Sequence, residues 1–362
     1  MKIVKVNLKG AAYNIVIGNN IIKLLSSYIT KLSIGSDAYI ITNARIKNKY
    51  GFILSNSLKS AGFNVKFKLI PDSERSKSLD SLSLITRDLA RFDKKRRVFV
   101  IAFGGGVIGD LAGFVASVYK RGISYLQIPT TLLAQVDSSI GGKTGVDLPQ
   151  GKNLVGTFYQ PGIVFSDLMF LQSLDLKQLR NGLAEVIKYG IIKDPQMFAY
   201  LEKRHQDILA RKPDALEYIV ERSSSIKAVI VQQDEKEKKG IRTVLNFGHT
   251  IGHAIEAAGK YKKYTHGEAV ALGMLAACDL SRQLGVIADN DLPQRIEALI
   301  GIIGLPVRIK GISCDDIITA YYRDKKFTGA KNKFVLIKNL GVSRIVEDIP
   351  LAVIKKVLYS RR

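Results

Sequence analysis

From Ile3 to about Ser166 the chain alternates short β-branched and aromatic runs with longer segments whose apolar residues recur every three or four positions. The short runs predict strands over Ile3–Leu8, Tyr13–Ile17, Ala38–Thr42, Val65–Ile70, Arg97–Phe103 and Ile163–Ser166. Between them, Asn43–Ser57 and Lys77–Arg91 read as amphipathic helices, the second with Leu79, Leu82, Leu84, Ile85 and Leu89. Strands that alternate with helices predict a mainly parallel sheet covered on both faces. Near Leu171–Leu176 the pattern changes. Leu176–Tyr189, Asp214–Val231, Gly248–Ala258 and Glu268–Gln283 all carry helical spacing, and Phe334–Ile337 is the remaining strand candidate. The expectation is an α/β fold in two domains, a Rossmann-like one over 1–175 and a mainly α-helical one over 176–362.

Composition changes this picture little. Apolar types are 46% and charged types 24% of 362 residues, a globular balance that excludes wholesale disorder. Residues 98–119 are apolar but hold five glycines and Asp110, which suits a buried strand, loop and helix better than a membrane span. The start of the chain is broken by lysines, without the apolar core of a signal peptide. Cys278 and Cys314 form no CxxC pair, so reduced thiols in a cytoplasmic setting are expected. The net charge is +23, divided as +12 over 1–175 and +11 over 176–362. An even excess with no basic tail is a solvated surface or a preference for anions, and phosphorylated small molecules and nucleic acid both qualify.

Arg97–Phe103 runs into Gly104-Gly105-Gly106-Val107-Ile108-Gly109-Asp110, and an apolar helix over Leu111–Tyr119 follows. Gly104, Gly106 and Gly109 satisfy GxGxxG between strand and helix, the setting in which bare backbone can approach a pyrophosphate. The ribose-binding acid expected about 20 residues on is missing, so the dinucleotide site would be nonstandard. Gly142-Lys143-Thr144 imitates the end of a Walker A motif, but Asp137 stands where that motif needs glycine.

Three of the four histidines, His249, His253 and His266, lie within eighteen residues. His249 and His253 sit one helical turn apart, a common metal geometry, and Thr250 after His249 excludes the HExxH protease motif. Glu185, Glu237 and Glu268 are candidate carboxylate companions, and spacing does not choose among them. Glu185 and Lys188 share a helix face, and His205 falls in a charged helix as a surface residue.

Several strings are long enough to identify. Pro71–Lys77, Gly104–Asp110, Pro129–Gly145, Gly151-Lys152-Asn153, Ala184–Lys188, Asn246–His253 and His266–Val270 together resemble the 3-dehydroquinate synthases, nearly end to end. The resemblance implies a phosphorus–oxygen lyase of the shikimate route. It would convert 3-deoxy-D-arabino-heptulosonate 7-phosphate to 3-dehydroquinate and phosphate, using bound NAD and a divalent metal, Zn²⁺ or Co²⁺. By matching strings it implies Glu185, His249 and His266 as metal ligands, displacing the His249/His253 pair that spacing favours. His253, Lys143 and Glu237 would be catalytic. NAD contacts would come from Thr42, Asn43, Asp72, Glu74, Lys77, Gly105, Gly106, Val107, Ile108, Gly109, Asp110, Thr130, Thr131, Asp137, Lys143, Lys152 and the Phe170, Leu171, Gln172, Ser173 segment. Substrate contacts would come from Asp137, Lys143, Lys152, Asn153, Lys188, Lys227, Arg242, Asn246, His253, Lys325 and Lys326. Arg121 would be donated across a homodimer interface. The stretch Asp234–Arg242 is one residue longer than the family pattern, and Arg75-Ser76 replaces the usual Gln-Tyr.

In the implied reaction, transient oxidation of a hydroxyl acidifies the neighbouring C–H and lets phosphate leave, after which the hydride returns and the ring closes. Sister cyclases that make an inosose or valiolone ring act on substrates without a carboxylate, against which Lys227 and Arg242 argue. A polyol or glycerol-phosphate dehydrogenase of the same superfamily would release NADH, and Lys152-Asn153 and Asn246–His253 favour the synthase. The third alternative, a nucleic-acid-binding module, has only the +23 charge behind it.

Overall fold

The strands of the N-terminal half are β1 (Lys2–Val6), β2 (Tyr13–Gly18), β3 (Asp37–Thr42), β4 (Asn64–Leu69), β5 (Val98–Gly104), β6 (Tyr125–Pro129), β7 (Lys143–Leu148), β8 (Gly151–Phe158) and β9 (Ile163–Asp167). The helices among them are α1 (Leu25–Leu32), α2 (Ala44–Ser60), α3 (Leu79–Phe92) and α4 (Gly106–Val118). The computed structural model describes residues 1–94, 97–328 and 332–362, with the side chains of 323–328 outside the description.

Seven strands form one sheet in the order β1-β2-β9-β6-β5-β3-β4, parallel except for the β1–β2 pair. Alternate residues of each strand face opposite sides. On one side Ile40, Phe99, Ile101 and Phe103 pack with Leu25, Leu54 and Leu58 of α1 and α2. On the other, Tyr39, Ile41, Val100 and Ala102 pack with Ile85 and Leu89 of α3 and Leu111 and Val115 of α4. Both faces are covered, so these strands read as continuous apolar runs. Each buried aliphatic side chain contributes about 1.5–3 kcal/mol. From β3 the chain crosses outward to β4, and from β5 it crosses the other way to β6. The β3–β5 boundary is therefore a topological switch point, where open α/β sheets form a crevice at the strands' C-terminal ends. Thr42 and the glycine string end β3 and β5 there.

The β7–β8 hairpin is outside the large sheet and was missed by pattern because its glycine-rich strands hold no apolar run. It packs on α4, where a Cβ on Gly113 would stand 2.5 Å from Thr144 Cγ2. Strand β6 was also missed; it is short and ends on Pro129. Helix α4 starts at Gly106, inside the glycine string, five residues before the expected Leu111.

The second half holds α5 (Leu176–Ile192), α6 (Pro195–Leu209), α7 (Pro213–Gln233), α8 (His249–Ala258), α9 (His266–Gln283), α10 (Leu292–Ile303), α11 (Cys314–Thr328), the hairpin β10 (Lys333–Asn339) and β11 (Val342–Glu347), and α12 (Leu351–Ser360). The chain divides into two compact units: Met1–Leu174 with Leu216–Lys236, and Asp175–Ala215 with Glu237–Arg362. A single cut at 175/176 is corrected by this division. Most of α7 joins the first unit, where Gln232 accepts from the Asn7 amide at 2.7 Å and Lys227 reaches Asp137. Helical periodicity identifies α7 but carries no information about which core receives its apolar face.

Within the second unit α9 is buried on nearly every side from Gly267 to Ser281. Small residues let its neighbours approach. A Cβ on Gly273 would lie 1.9 Å from the Gly248 carbonyl oxygen, and one on Gly267 would lie 2.3 Å from that of Asn181. These two approaches seat α8 and α5 directly against α9.

Candidate active site

Glu185 lies mid-helix in α5 and is fully buried. His249 opens α8 and His266 opens α9; Thr265 and Glu268 form a capping box that starts α9 two residues before the pattern-based boundary. The close α8/α9 and α5/α9 packing brings these helix starts to Glu185. Both His249 Nε2 and His266 Nε2 lie 3.5 Å from Glu185 Oε1. The three potential ligand atoms are all within 4.8 Å of one another. Lys188 pairs with the other Glu185 oxygen. The remaining imidazole nitrogens are also engaged, His249 Nδ1 at 3.2 Å from the Phe247 carbonyl oxygen and His266 Nδ1 at 3.3 Å from Glu256 Oε2. His253, on the exposed side of α8, has its ring centroid 5.2 Å from that of His249.

The electrostatics of the two buried imidazoles diverge. Burial, then the Lys188 charge, pushes His249 well below the ordinary histidine range. Burial also works against the His266 cation, but Glu185 and Glu256 outweigh it and lift that group to about 10. A cation bound here would compete with the His266 proton. One carboxylate and two imidazoles converging on a small volume are a donor set suited to Zn²⁺ or Co²⁺. Of the three candidate companions, geometry selects Glu185. Glu268 is spent on its helix cap, and Glu237 pairs with Arg242 at 3.1 Å. Glu256 was missed; its only signal is the His253-Ala-Ile-Glu256 spacing, which places it on the histidine face of α8.

In the first unit Gly105 caps α4 and Gly106 is its first residue, so the helix's unpaired N–H groups face the switch point. A Cβ on Gly109 would meet Gln127 of β6 at 2.9 Å, which is the close helix–strand packing a third fingerprint glycine permits. The hydroxyls of Thr42 and Thr130, at the ends of β3 and β6, are buried with no hydrogen-bond partner among the described residues. Buried hydroxyls are normally satisfied, so two orphans beside a glycine-rich helix start fit a polar ligand such as a dinucleotide. Thr131 Oγ1 accepts from the Ala134 amide and Asn43 Oδ1 from the Ile46 amide, so both cap local turns. Ile108, Phe170 and Leu171 direct their side chains into the apolar core, where Phe170 packs on Tyr50 and Phe103. Val107 is half-buried, Asp72 is exposed, and Ser173 Oγ lies 2.6 Å from the Tyr50 hydroxyl, beside Gln172.

Lys77 is the hub of a second cluster. Its ammonium donates to Asp110 at 2.8 Å and to Asn153 at 2.5 Å, with Glu74 and Asp147 each 3.9 Å away. Burial opposes its charge, but the carboxylates, Asp110 foremost, hold it above the ordinary lysine range. Lys152 lies 3.6 Å from Glu74, and Lys143 is exposed at the start of β7 rather than of a helix, consistent with rejecting the P-loop. Lys227 donates to Asp137 at 2.8 Å, and Asp137 sits in a π-helical turn, Ala134–Ser138. Arg121 is exposed with φ of +64°, and Asn246 is exposed at the end of the turn that carries Arg242. The Lys325 and Lys326 side chains lie outside the described residues.

The fold and its carboxylate–imidazole cluster define a class, the two-unit enzymes that include the carbocycle-forming synthases. A solved 2-deoxy-scyllo-inosose synthase, complexed with carbaglucose-6-phosphate, NAD⁺ and Co²⁺, superposes with a TM-score of 0.89 at 25% identity over 100% of both chains. A 2-epi-5-epi-valiolone synthase from Streptomyces hygroscopicus subsp. jinggangensis, with NAD⁺ and Zn²⁺ bound, gives 0.88 at 27% identity over 98% of both. Within that class, sequence models described as 3-dehydroquinate synthase N-terminal and C-terminal match residues 67–181 and 182–327. The 3-dehydroquinate synthase of Desulforamulus reducens is 45% identical over 361 residues, 99% of each chain. The chain belongs to the 3-dehydroquinate synthase family.

Proposed function

We propose that this chain converts 3-deoxy-D-arabino-heptulosonate 7-phosphate to 3-dehydroquinate and inorganic phosphate, as an NAD- and divalent-metal-dependent lyase. The observation that carries the reading is the convergence of Glu185, His249 and His266 in a chain similar over its full length to synthases of that name. The sister-cyclase alternative is weaker, because identity to the inosose and valiolone synthases is 25% and 27%.

Glu185, His249 and His266 would hold the cation, and the crevice at Thr42, Gly105, Gly106 and Thr130 would hold NAD. When bound, NAD supplies reversible hydride removal and the cation polarises the oxygens being oxidised and reduced. The chain's own groups then bind, orient and move protons. Lys188, paired with Glu185, stands beside the cluster. Arg242 presents a rigid fork suited to the substrate carboxylate, and Lys227, paired with Asp137, is a further substrate contact that the family resemblance implies. His253, on the exposed side of α8, would receive the departing phosphate and carry a proton at its imidazole. Asn153, Lys152 and Asn246 supply further polar contacts. Glu237 is paired with Arg242, which supports a role in orienting that fork ahead of a separate role as proton acceptor. Arg121 would serve the partner subunit of a homodimer. A cytoplasmic location is supported by two buried free cysteines. No helix among the described residues is long and apolar enough to cross a membrane.

The test is phosphate release from the seven-carbon substrate before and after chelation. Activity should disappear with chelator and return with Zn²⁺ or Co²⁺, and His266→Ala should lose both metal and turnover, because two ligands are too few for tight binding. A rate indifferent to chelator, or a His266→Ala enzyme with full metal and full rate, would remove the cation assignment.

A further inference from the structure

We infer that Glu256 is a positioning residue for the cation site: it fixes His266 through Nδ1 so that Nε2 faces Glu185. The inference rests on the metal reading above and deepens it. His249 and His266 present the same nitrogen, Nε2, to the same oxygen, Glu185 Oε1, at the same 3.5 Å. An imidazole can offer a lone pair from Nε2 only if its remaining proton is kept on Nδ1, and the Nδ1 partner decides that. For His249 the partner is main chain, the Phe247 carbonyl at 3.2 Å. His266 opens a helix, and its Nδ1 faces a side chain instead, the Glu256 carboxylate at 3.3 Å. The two histidines thus have matched outer partners, and only one of these is a side chain that substitution can remove.

Glu256 is itself 7% exposed, in the last turn of α8. A carboxylate buried that far is costly unless it is engaged. It lies three residues after His253 and seven after His249, so one face of α8 carries a ligand, an exposed histidine and the group that orients the ligand on α9. A carboxylate on the outer nitrogen also raises the basicity of the inner one, and loss of such partners typically weakens metal binding about 10–100-fold. One donor atom from each of His253, Glu256 and His266 also lies within 4.8 Å of the other two, a second arrangement that could hold a cation. In that case Glu256 would be a ligand, and the number of ions bound separates the two roles.

The experiment measures Zn²⁺ and Co²⁺ affinity by chelator competition, ion stoichiometry, and the visible spectrum of the Co²⁺-loaded protein. The parent is compared with Glu256→Ala and Glu256→Gln. The expected result is one ion per chain in all three, affinity about 10–100-fold weaker in Glu256→Ala, and a smaller loss in Glu256→Gln, whose amide oxygen still accepts from Nδ1. The Co²⁺ band should shift in Glu256→Ala, while NAD affinity and the metal-free Tm stay near the parent's. Equal affinity in parent and Glu256→Ala would overturn the inference. So would two ions in the parent and one in the variant, or a metal-free Tm that falls in step with affinity in both variants. A parent that binds neither ion would instead sink the metal reading itself. Should Glu256→Ala not fold, Glu256→Gln carries the test, because a parent-like Co²⁺ spectrum and at most a modest affinity loss are required of it.

Discussion

Arg242 is 4% exposed and its partner Glu237 is 38% exposed, an asymmetry that makes this arginine informative to remove. Cutting a buried ion pair is destabilising when it strands a buried charge. Here the charge left behind can be hydrated, so Arg242→Ala should report function more than folding. If the fork holds the substrate carboxylate, kcat/KM should fall roughly 30- to 1,000-fold, about 2–4 kcal/mol of transition-state binding. Arg242→Lys should recover part of that, since an ammonium cannot make two parallel bonds. NAD affinity is the control. An unchanged kcat/KM would refute the carboxylate role and revive the non-acid cyclases. Within this pair Glu237 itself adopts a left-handed φ of +55°.

At the scale of elements, the site depends on how closely helices can pack. Gly273→Ala would place a methyl group 1.9 Å from the Gly248 carbonyl oxygen and 2.8 Å from the Gly252 amide nitrogen. Backbone cannot yield as a side-chain tip can, so α8 and α9 must separate. The cost should reach or pass the upper end of the ~1–3 kcal/mol seen for overpacking, with a lower Tm and weakened cation binding. Gly301→Ala on α10 is the matched control: the nearest atom is 3.8 Å away, and alanine favours a helix by about 0.8–1.0 kcal/mol. Its Tm should hold or rise. Similar melting shifts in both variants would show that the α8/α9 approach does not govern the site. The far end of α9 is tied differently. Arg361 forks onto buried Asp279 of α9, Nη2 to Oδ1 at 2.8 Å, and reaches Glu297 of α10. Arg361→Ala strands Asp279, 4% exposed, and should cost about 3–5 kcal/mol in denaturant unfolding. A loss below 1 kcal/mol would mean that Asp279 finds another partner or is hydrated.

The whole-molecule prediction concerns assembly. If Arg121 serves the partner subunit, Arg121→Ala and a second variant dead at its own site, such as His266→Ala, should complement when subunits exchange. At most one working site per heterodimer is then expected, because the intact arginine and the intact cluster meet only in one combination. Mixtures shown to have exchanged subunits but without recovered phosphate release would return Arg121 to its own chain or to a structural role.

Local patterning was enough to locate six of the seven strands of the large sheet and the long helices, because a short apolar run marks a strand covered on both faces and a 3.6-residue repeat records which side of a helix is buried. The glycine string was also legible because it is written in consecutive residues, and the histidine cluster because three of the four histidines fall within eighteen residues. Other features required the tertiary structure. Spacing singled out His249 and His253, one turn apart, yet the packing of α5, α8 and α9 brought His249, His266 and Glu185 together and left Glu268 as a cap. Helical periodicity fixes relations within one helix; distances between helices depend on where small residues such as Gly267 and Gly273 allow backbones to meet. The same limit hid the β7–β8 hairpin, whose glycines carry no apolar signal, and the return of α7 to the first unit, since an apolar stripe says that a face is buried and not what buries it.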